Sequence, residues 1–161
     1  MRHRRLPRLD LKERTYCLTC CTEGRRDFLQ DPRFAQGLIN LYVEARERGD
    51  IVLHGYVVMP DHYHVLFTLV GENSVSNLVR RVHSVLSRRA RRELGITDRV
   101  WQRRFYDHVV RDDDDWNEQL GYIHTNPVLA ELVEDAKEYP WSSCRFWQTG
   151  EGPVRCTGPW W

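Results

Sequence analysis

Apolar positions recur along this chain in two rhythms, one of helices and one of strands. Phe34, Leu38, Leu41 and Ala45 fall three or four apart, the spacing of one helix face. Asp31-Pro32 supplies the start, with Asp as N-cap and Pro at the first helical position, and Gly49 the stop. Val75, Leu78, Val82, Leu86 and Ala90 repeat the pattern over a second helix from about residue 74 to 94, closed by Gly95. Between these helices, residues 51–59 and 62–70 read as apolar strands. The Pro60-Asp61 link is so short that they must pair as an antiparallel hairpin. Residues 14–22 and 99–111 have the β-branched and aromatic content of a first and a fourth strand. The acidic run Asp112 to Asp115 suits the start of a third helix, where the helix dipole favours negative charge. A short helix is expected after Pro127, and the Trp-, Pro- and Gly-rich tail remains unassigned.

The order β-α-β-β-α-β followed by a helix predicts an α+β, ferredoxin-like split βαβ fold. Its sheet is antiparallel with four to five strands, its helices lie on one face, and a C-terminal helix and tail follow. No internal repeat or linker interrupts the 161 residues, so one domain is expected over 1–161, with a core at about 14–147. No run approaches the roughly 18 apolar residues of a membrane span, and the basic amino terminus lacks a signal peptide's apolar stretch. Five cysteines, an odd number, fit a reducing compartment, and a cytoplasmic, nucleoid-associated protein is expected. Cys17, Cys20 and Cys21 superficially resemble a zinc motif. On a strand, residues three apart face opposite ways, so buried strand cysteines are the better reading.

A net charge of +1 hides an asymmetry. Residues 1–104 carry 20 basic and 12 acidic side chains, whereas residues 105–161 carry 4 and 11. All the basic residues except Lys12 and Lys137 are arginine, whose planar fork matches phosphate oxygens and stacks on bases. The pattern suits nucleic acid, and equally a solvated charged surface.

His62 and His64, two apart on a strand, leave the same face and can chelate a divalent cation. On the third helix, Trp116, Leu120 and Ile123 form a docking stripe, while Gln119, Tyr122 and Asn126 cluster about a right angle away. If that second face overlooks the hairpin, the Tyr122 phenol lies where it can attack a phosphodiester polarised by the cation. Asn126 reads either as a third ligand through its carbonyl oxygen or, preceding Pro127, as the N-cap of the next helix. His3, His54 and His83 lack partners at useful spacing, and His108 reads as an ordinary strand histidine.

These residues resemble a known family. Tyr56-Val-Val-Met-Pro-Asp-His-Tyr-His-Val-Leu66 is similar to the HUH hairpin of the single-tyrosine transposases. Residues 100–108, 121–128 and 138–143 resemble the REP-associated branch in particular. The resemblance implies that His62 and His64 bind Mg²⁺ or Mn²⁺ and that Tyr122 attacks single-stranded DNA beside a hairpin. A 5′-phosphotyrosine link and a free 3′-hydroxyl would result, and the step is reversible, so strands can be rejoined. The implied partners are REP-like palindromes folded as hairpins, with a homodimer and cis or trans catalysis left open. Asn126 stands where the insertion-sequence branch usually has glutamine. The expected DNA contacts are Arg80, Arg81, Arg88, Arg89, Arg91 and Arg92 of the second helix, with Arg103 and Arg104. Trp101, Phe105 and Tyr106 are candidates for base stacking or for core packing.

Two competing readings remain at the level of sequence. One is a hairpin-binding protein without turnover. The other is a metal hydrolase using the His pair and water, disfavoured because no carboxylate is evidently paired with the histidines as a general base.

Overall fold

The computed structural model describes residues 13–70 and 72–159. Its elements are β1 (Thr15–Cys21), α1 (Pro32–Glu47), β2 (Ile51–Val58), β3 (His62–Leu69), α2 (Val75–Leu94), β4 (Tyr106–Val109), α3 (Asp113–Leu129) and α4 (Cys144–Thr149). The four strands form one antiparallel sheet in the order β2-β3-β1-β4. This is the α+β, split βαβ arrangement expected from the chain's rhythm.

Local chemistry sets the helix ends. The Asp31 side chain accepts from the Arg33 amide ahead of α1, and Ser74 accepts from Asn77 ahead of α2. Asp112 accepts from the Asp115 amide ahead of α3, whose first turn is acidic throughout. Each cap is worth about 1 kcal/mol. Gly95, at φ 66°, closes α2 in the left-handed conformation that a side chain would penalise.

Strand alternation sorts the apolar side chains into two cores. Leu18, Val65 and Phe67 meet Phe34 and Leu38 of α1 and Leu78 and Leu86 of α2. On the opposite face, Cys17, Val57 and Leu66 meet Trp116, Leu120 and Ile123 of α3. As expected, α1 and α2 lie on one face, and the C-terminal helix α3 covers the second face with its own apolar stripe. Cys17 and Cys20 point into different cores, and the five cysteines are free thiols. At Gly55, beside an irregularity in the β2–β3 register, an added Cβ would sit 2.5 Å from Leu120 Cδ1 and 3.2 Å from Ser143 Oγ. The missing side chain is what lets α3 lie this close to β2.

Three boundaries differ from the sequence expectation. The fourth strand pairs only over Tyr106–Val109, rather than from residue 99 to 111. Pairing resumes at the Thr22–Trp101 bridge, but with two extra residues on the later segment, so residues 103–105 leave the ladder as a bulge. No helix begins at Pro127 itself, because α3 continues through it to Leu129; the next are a 3-10 turn at Ala136–Glu138 and the short α4. Pro127 is buried in the last turn, where the amides of Ala130, Glu131 and Leu132 satisfy the terminal carbonyls. The cap role expected for Asn126 is therefore corrected: it lies inside α3.

The C-terminal segment has a structural place. Val58 N–H donates to Trp141 O at 2.8 Å, Ser143 N–H to Tyr56 O at 3.0 Å and Thr157 N–H to Leu53 O at 3.0 Å. These bonds cover the outer edge of β2, which would otherwise expose unpaired backbone groups. Val154 and Cys156 join the larger core. Among the described residues no helix is long and apolar enough to cross a membrane.

Candidate active site

Alternation along β3 turns His62 and His64 toward the face covered by α3. Their rings stand nearly perpendicular with centroids 5.0 Å apart, and the Tyr122 ring lies 5.3 Å from that of His64. The His pair and the late-helix phenol are thus in one place. Tyr122 is 51 % exposed, so a substrate can reach it, whereas His64 is buried.

Each imidazole is oriented through Nδ1. His62 Nδ1 lies 2.6 Å from Asp61 Oδ1, and His64 Nδ1 lies 2.8 Å from Thr19 Oγ1. Asp61 is itself held, its backbone oxygen accepting from the Thr22 amide and hydroxyl and its carboxylate lying 3.5 Å from Arg25. An Nδ1–H donated to these oxygens leaves the Nε2 lone pairs as the free ligating atoms. His64 Nε2 is one of three buried side-chain polar atoms among the described residues that have no hydrogen-bond partner, the others being Trp101 Nε1 and Trp116 Nε1. Leaving such an atom unpaired costs about 1–3 kcal/mol unless something completes it. A divalent cation fits that position. Burial, then the neighbouring His62, pushes the His64 pKa down to about 4, with the Asn126 side chain opposing. The imidazole is therefore neutral at neutral pH, the form that ligates.

The Asn126 amide nitrogen donates to Tyr122 O at 2.7 Å, which leaves its amide oxygen as the available donor atom. No cluster of three or more His, Cys, Asp or Glu side chains converges among the described residues. An ion here would have two imidazoles and complete its shell with amide, water or phosphate oxygens.

Sequence reasoning missed Asp61 and Thr19 as the groups that orient the two rings. Asp61 adjoins His62 in the chain and was available as a signal. Thr19 requires the β1–β3 register, in which it sits opposite His64. His108 is also more than an ordinary strand residue. Its Nε2 lies 2.9 Å from both oxygens of the buried Asp115. Burial pushes the Asp115 carboxyl up, but bonds from Arg111 and His108 outweigh it and hold the group well below the usual carboxylate range. Gln119 also bonds Asp115 within α3, while the His108 contact ties the first turn of α3 to β4. His83 stacks on Trp101 and bonds Tyr63, His54 bonds Thr68 and the Thr157 carbonyl, and His3 lies outside the described residues.

The arginines divide. Arg80, Arg91 and Arg103, with Arg99, line a groove of about 460 Å³ between α2 and the bulged segment. Arg81, Arg88, Arg92 and Arg104 are exposed. Arg89 instead faces α1, bonding Glu93 and the Arg33 carbonyl and lying 5.3 Å over the Phe34 ring. Arg92 shares Glu93. Trp101 is buried in the core, Phe105 packs against it, and Tyr106 is exposed. Another cavity, about 760 Å³, lies at the other end of β1, lined by Asp112 to Asp114 with Arg14 and Arg111. It has no part in this site.

The chain is similar to the REP-associated tyrosine transposase of Escherichia coli K12, 26% identical over 134 residues that span 83% of this chain and 78% of the relative. A Haemophilus influenzae protein provisionally named a REP-associated tyrosine transposase is 36% identical over 101 residues, 53% of this chain and 54% of the relative. A solved structure of a REP-associated tyrosine transposase bound to a REP hairpin shares the fold, with a TM-score of 0.75 and 24% identity over 98% of this chain and 93% of that one. The family model for IS200-like transposases matches residues 11–126, a stretch that runs from the start of the described sheet to Asn126. With the HUH histidines and the helix tyrosine inside that match, the chain belongs to the IS200-like transposase family.

Proposed function

We propose that this protein cleaves and rejoins single-stranded DNA beside a REP-like hairpin, with Tyr122 as the nucleophile. The observation that carries the proposal is a half-exposed phenol 5.3 Å from an imidazole whose Nε2 is buried and unpartnered. His62 and His64 would hold Mg²⁺ or Mn²⁺, with the Asn126 oxygen as the third protein donor. When bound, that ion supplies Lewis-acid polarisation of the scissile phosphate.

The chain's own residues do the rest. Asp61 and Thr19 engage the two Nδ1 atoms and so leave the Nε2 atoms free to ligate. The Tyr122 oxygen attacks phosphorus, a phosphotyrosine bond forms, and the bond to the 3′-oxygen breaks. The phenol loses its proton and the departing 3′-oxygen gains one, giving a free hydroxyl. That hydroxyl can attack in return, which rejoins the strand and regenerates the phenol. The Arg80, Arg91 and Arg103 groove is electrostatically suited to the backbone of the bound DNA.

Incubation with Mn²⁺ and a single strand carrying a palindromic hairpin should give a covalent protein–DNA band, lost in Tyr122→Phe. A wild type that binds hairpins tightly yet forms no adduct would favour the non-catalytic binder. Cleavage that survives Tyr122→Phe would favour a hydrolase, for which Asp61 is poorly placed as a base because it is committed to His62.

A further inference from the structure

Two large aromatic side chains are exposed among the described residues, Tyr122 and Tyr106. Tyr106 is the more open of the two, at 67 %. An exposed aromatic at a sheet edge has many ordinary explanations, but the register places this one in line with the candidate site. His64 on β3 sits opposite Thr19 on β1, and Thr19 sits opposite Tyr106 on β4. The three form a single cross-strand row.

Alternation fixes the side on which Tyr106 projects. His108 reaches Asp115 of α3, and Val110 packs in the core beneath α3, while Val109 packs in the core on the other face. Tyr106, two residues before His108, projects toward the α3 face with His64 and Tyr122. Strands lie about 4.8 Å apart, so the Tyr106 backbone is roughly 10 Å from that of His64. That is the reach from a phosphate to the base of a neighbouring nucleotide.

The surroundings match a DNA strand. Immediately before Tyr106 the chain bulges, and Arg103 and Arg104 are exposed on the bulge. On the other side His108 is clamped by Asp115, a rigid boundary to the same face. The row runs from candidate metal ligand through its Thr19 support to an open ring on the edge strand.

The geometry points to Tyr106 as a stacking platform for the base of an unpaired nucleotide next to the scissile phosphate. This inference rests on the reading of Tyr122 and the His pair as the cleavage site. Stacking on an aromatic ring tolerates any base, so Tyr106 would set how the strand is held rather than which sequence is read. It is a binding residue, not a participant in bond breaking.

The test uses the full chain as Tyr122→Phe, so that no covalent step intervenes, and the tightest-bound hairpin of a single-stranded DNA library. 2-Aminopurine is placed in turn at each unpaired position flanking the stem, and its fluorescence is read on binding. Quenching is expected at one position, lost in Tyr106→Ala and kept in Tyr106→Phe. Affinity should fall about tenfold in Tyr106→Ala. An unchanged quenching profile in Tyr106→Ala, or no quenching at any position with Tyr106 intact, overturns the inference. Failure of the wild type to form an adduct would sink the cleavage reading and leave this binding readout unaffected, so the two failures are distinguishable.

Discussion

Removing the charge of Asp61 tests whether the His pair is built for a cation. In Asp61→Asn the backbone oxygen still accepts from Thr22, and the amide oxygen can still accept from His62 Nδ1, so local geometry survives. What disappears is a negative charge 2.6 Å from a ligating ring. Across that ring the carboxylate would lie about 6 Å from a bound divalent ion, an attraction of about 1.4 kcal/mol even at the dielectric of water. That corresponds to about tenfold in affinity, and partial burial of the pair strengthens it, toward the 100-fold seen at the upper end for such supporting groups. Mn²⁺ titrated into wild type and Asp61→Asn, followed by electron paramagnetic resonance, should show a roughly 10- to 100-fold weaker Kd in the variant. Urea unfolding without metal should be nearly unchanged, since Arg25 is the other charged partner and its side chain is 56 % exposed. A Kd within twofold of wild type, with the fold intact, would refute the idea that the Asp61 charge supports a cation at the His pair.

Other perturbations probe the scaffold and the DNA face. Gly55→Ala drives a methyl to 2.5 Å from Leu120 Cδ1, two residues from Tyr122, and should cost about 1–3 kcal/mol in thermal or urea unfolding and slow adduct formation. Unchanged stability would show that Leu120 swings aside freely. Burial lowers the pKa of His83 to about 3 and of His124 to about 4, and burial together with His62 lowers that of His64 to about 4. Their depressed folded values mean that the unfolded chain binds more protons. Stability is full above about pH 6.5 and is lost as pH falls toward the folded values, by about 2 kcal/mol per histidine at pH 5. Metal-free urea unfolding at pH 7 and pH 5 should show this loss, and a flat profile would contradict it. Arg80→Ala, Arg91→Ala and Arg103→Ala should each reduce the salt slope of single-strand binding by about 0.7. Arg89→Ala should instead lower stability, because its contacts are to Glu93, Arg33 and Phe34.

Much of the frame was legible because it is written locally. Asp31-Pro32, Gly95 and Asp112 act within one helical turn of themselves, and the structure has each at its helix end. The His62–His64 pairing follows from the period of two, and the Tyr122 stripe from the period of 3.6. What escaped depends on neighbours distant in sequence. Thr19 supports His64 only through the β1–β3 register, and His108 meets Asp115 only because α3 folds back over β4. Helicity through Pro127 was missed because burial and the following amides offset the penalty at a helix end. Arg89 could not be separated from its arginine neighbours by pattern, since Glu93 and Phe34 claim it from two directions.

Two exposed tyrosines on the same face make the site of covalent attachment the most direct measurement. After reaction with Mn²⁺ and a hairpin-bearing strand, the protein is digested and the nucleotide-linked peptide sequenced by mass spectrometry. The account predicts a nucleotide mass on Tyr122, attached through a 5′-phosphate. Attachment at Tyr106 or at any other residue would contradict it.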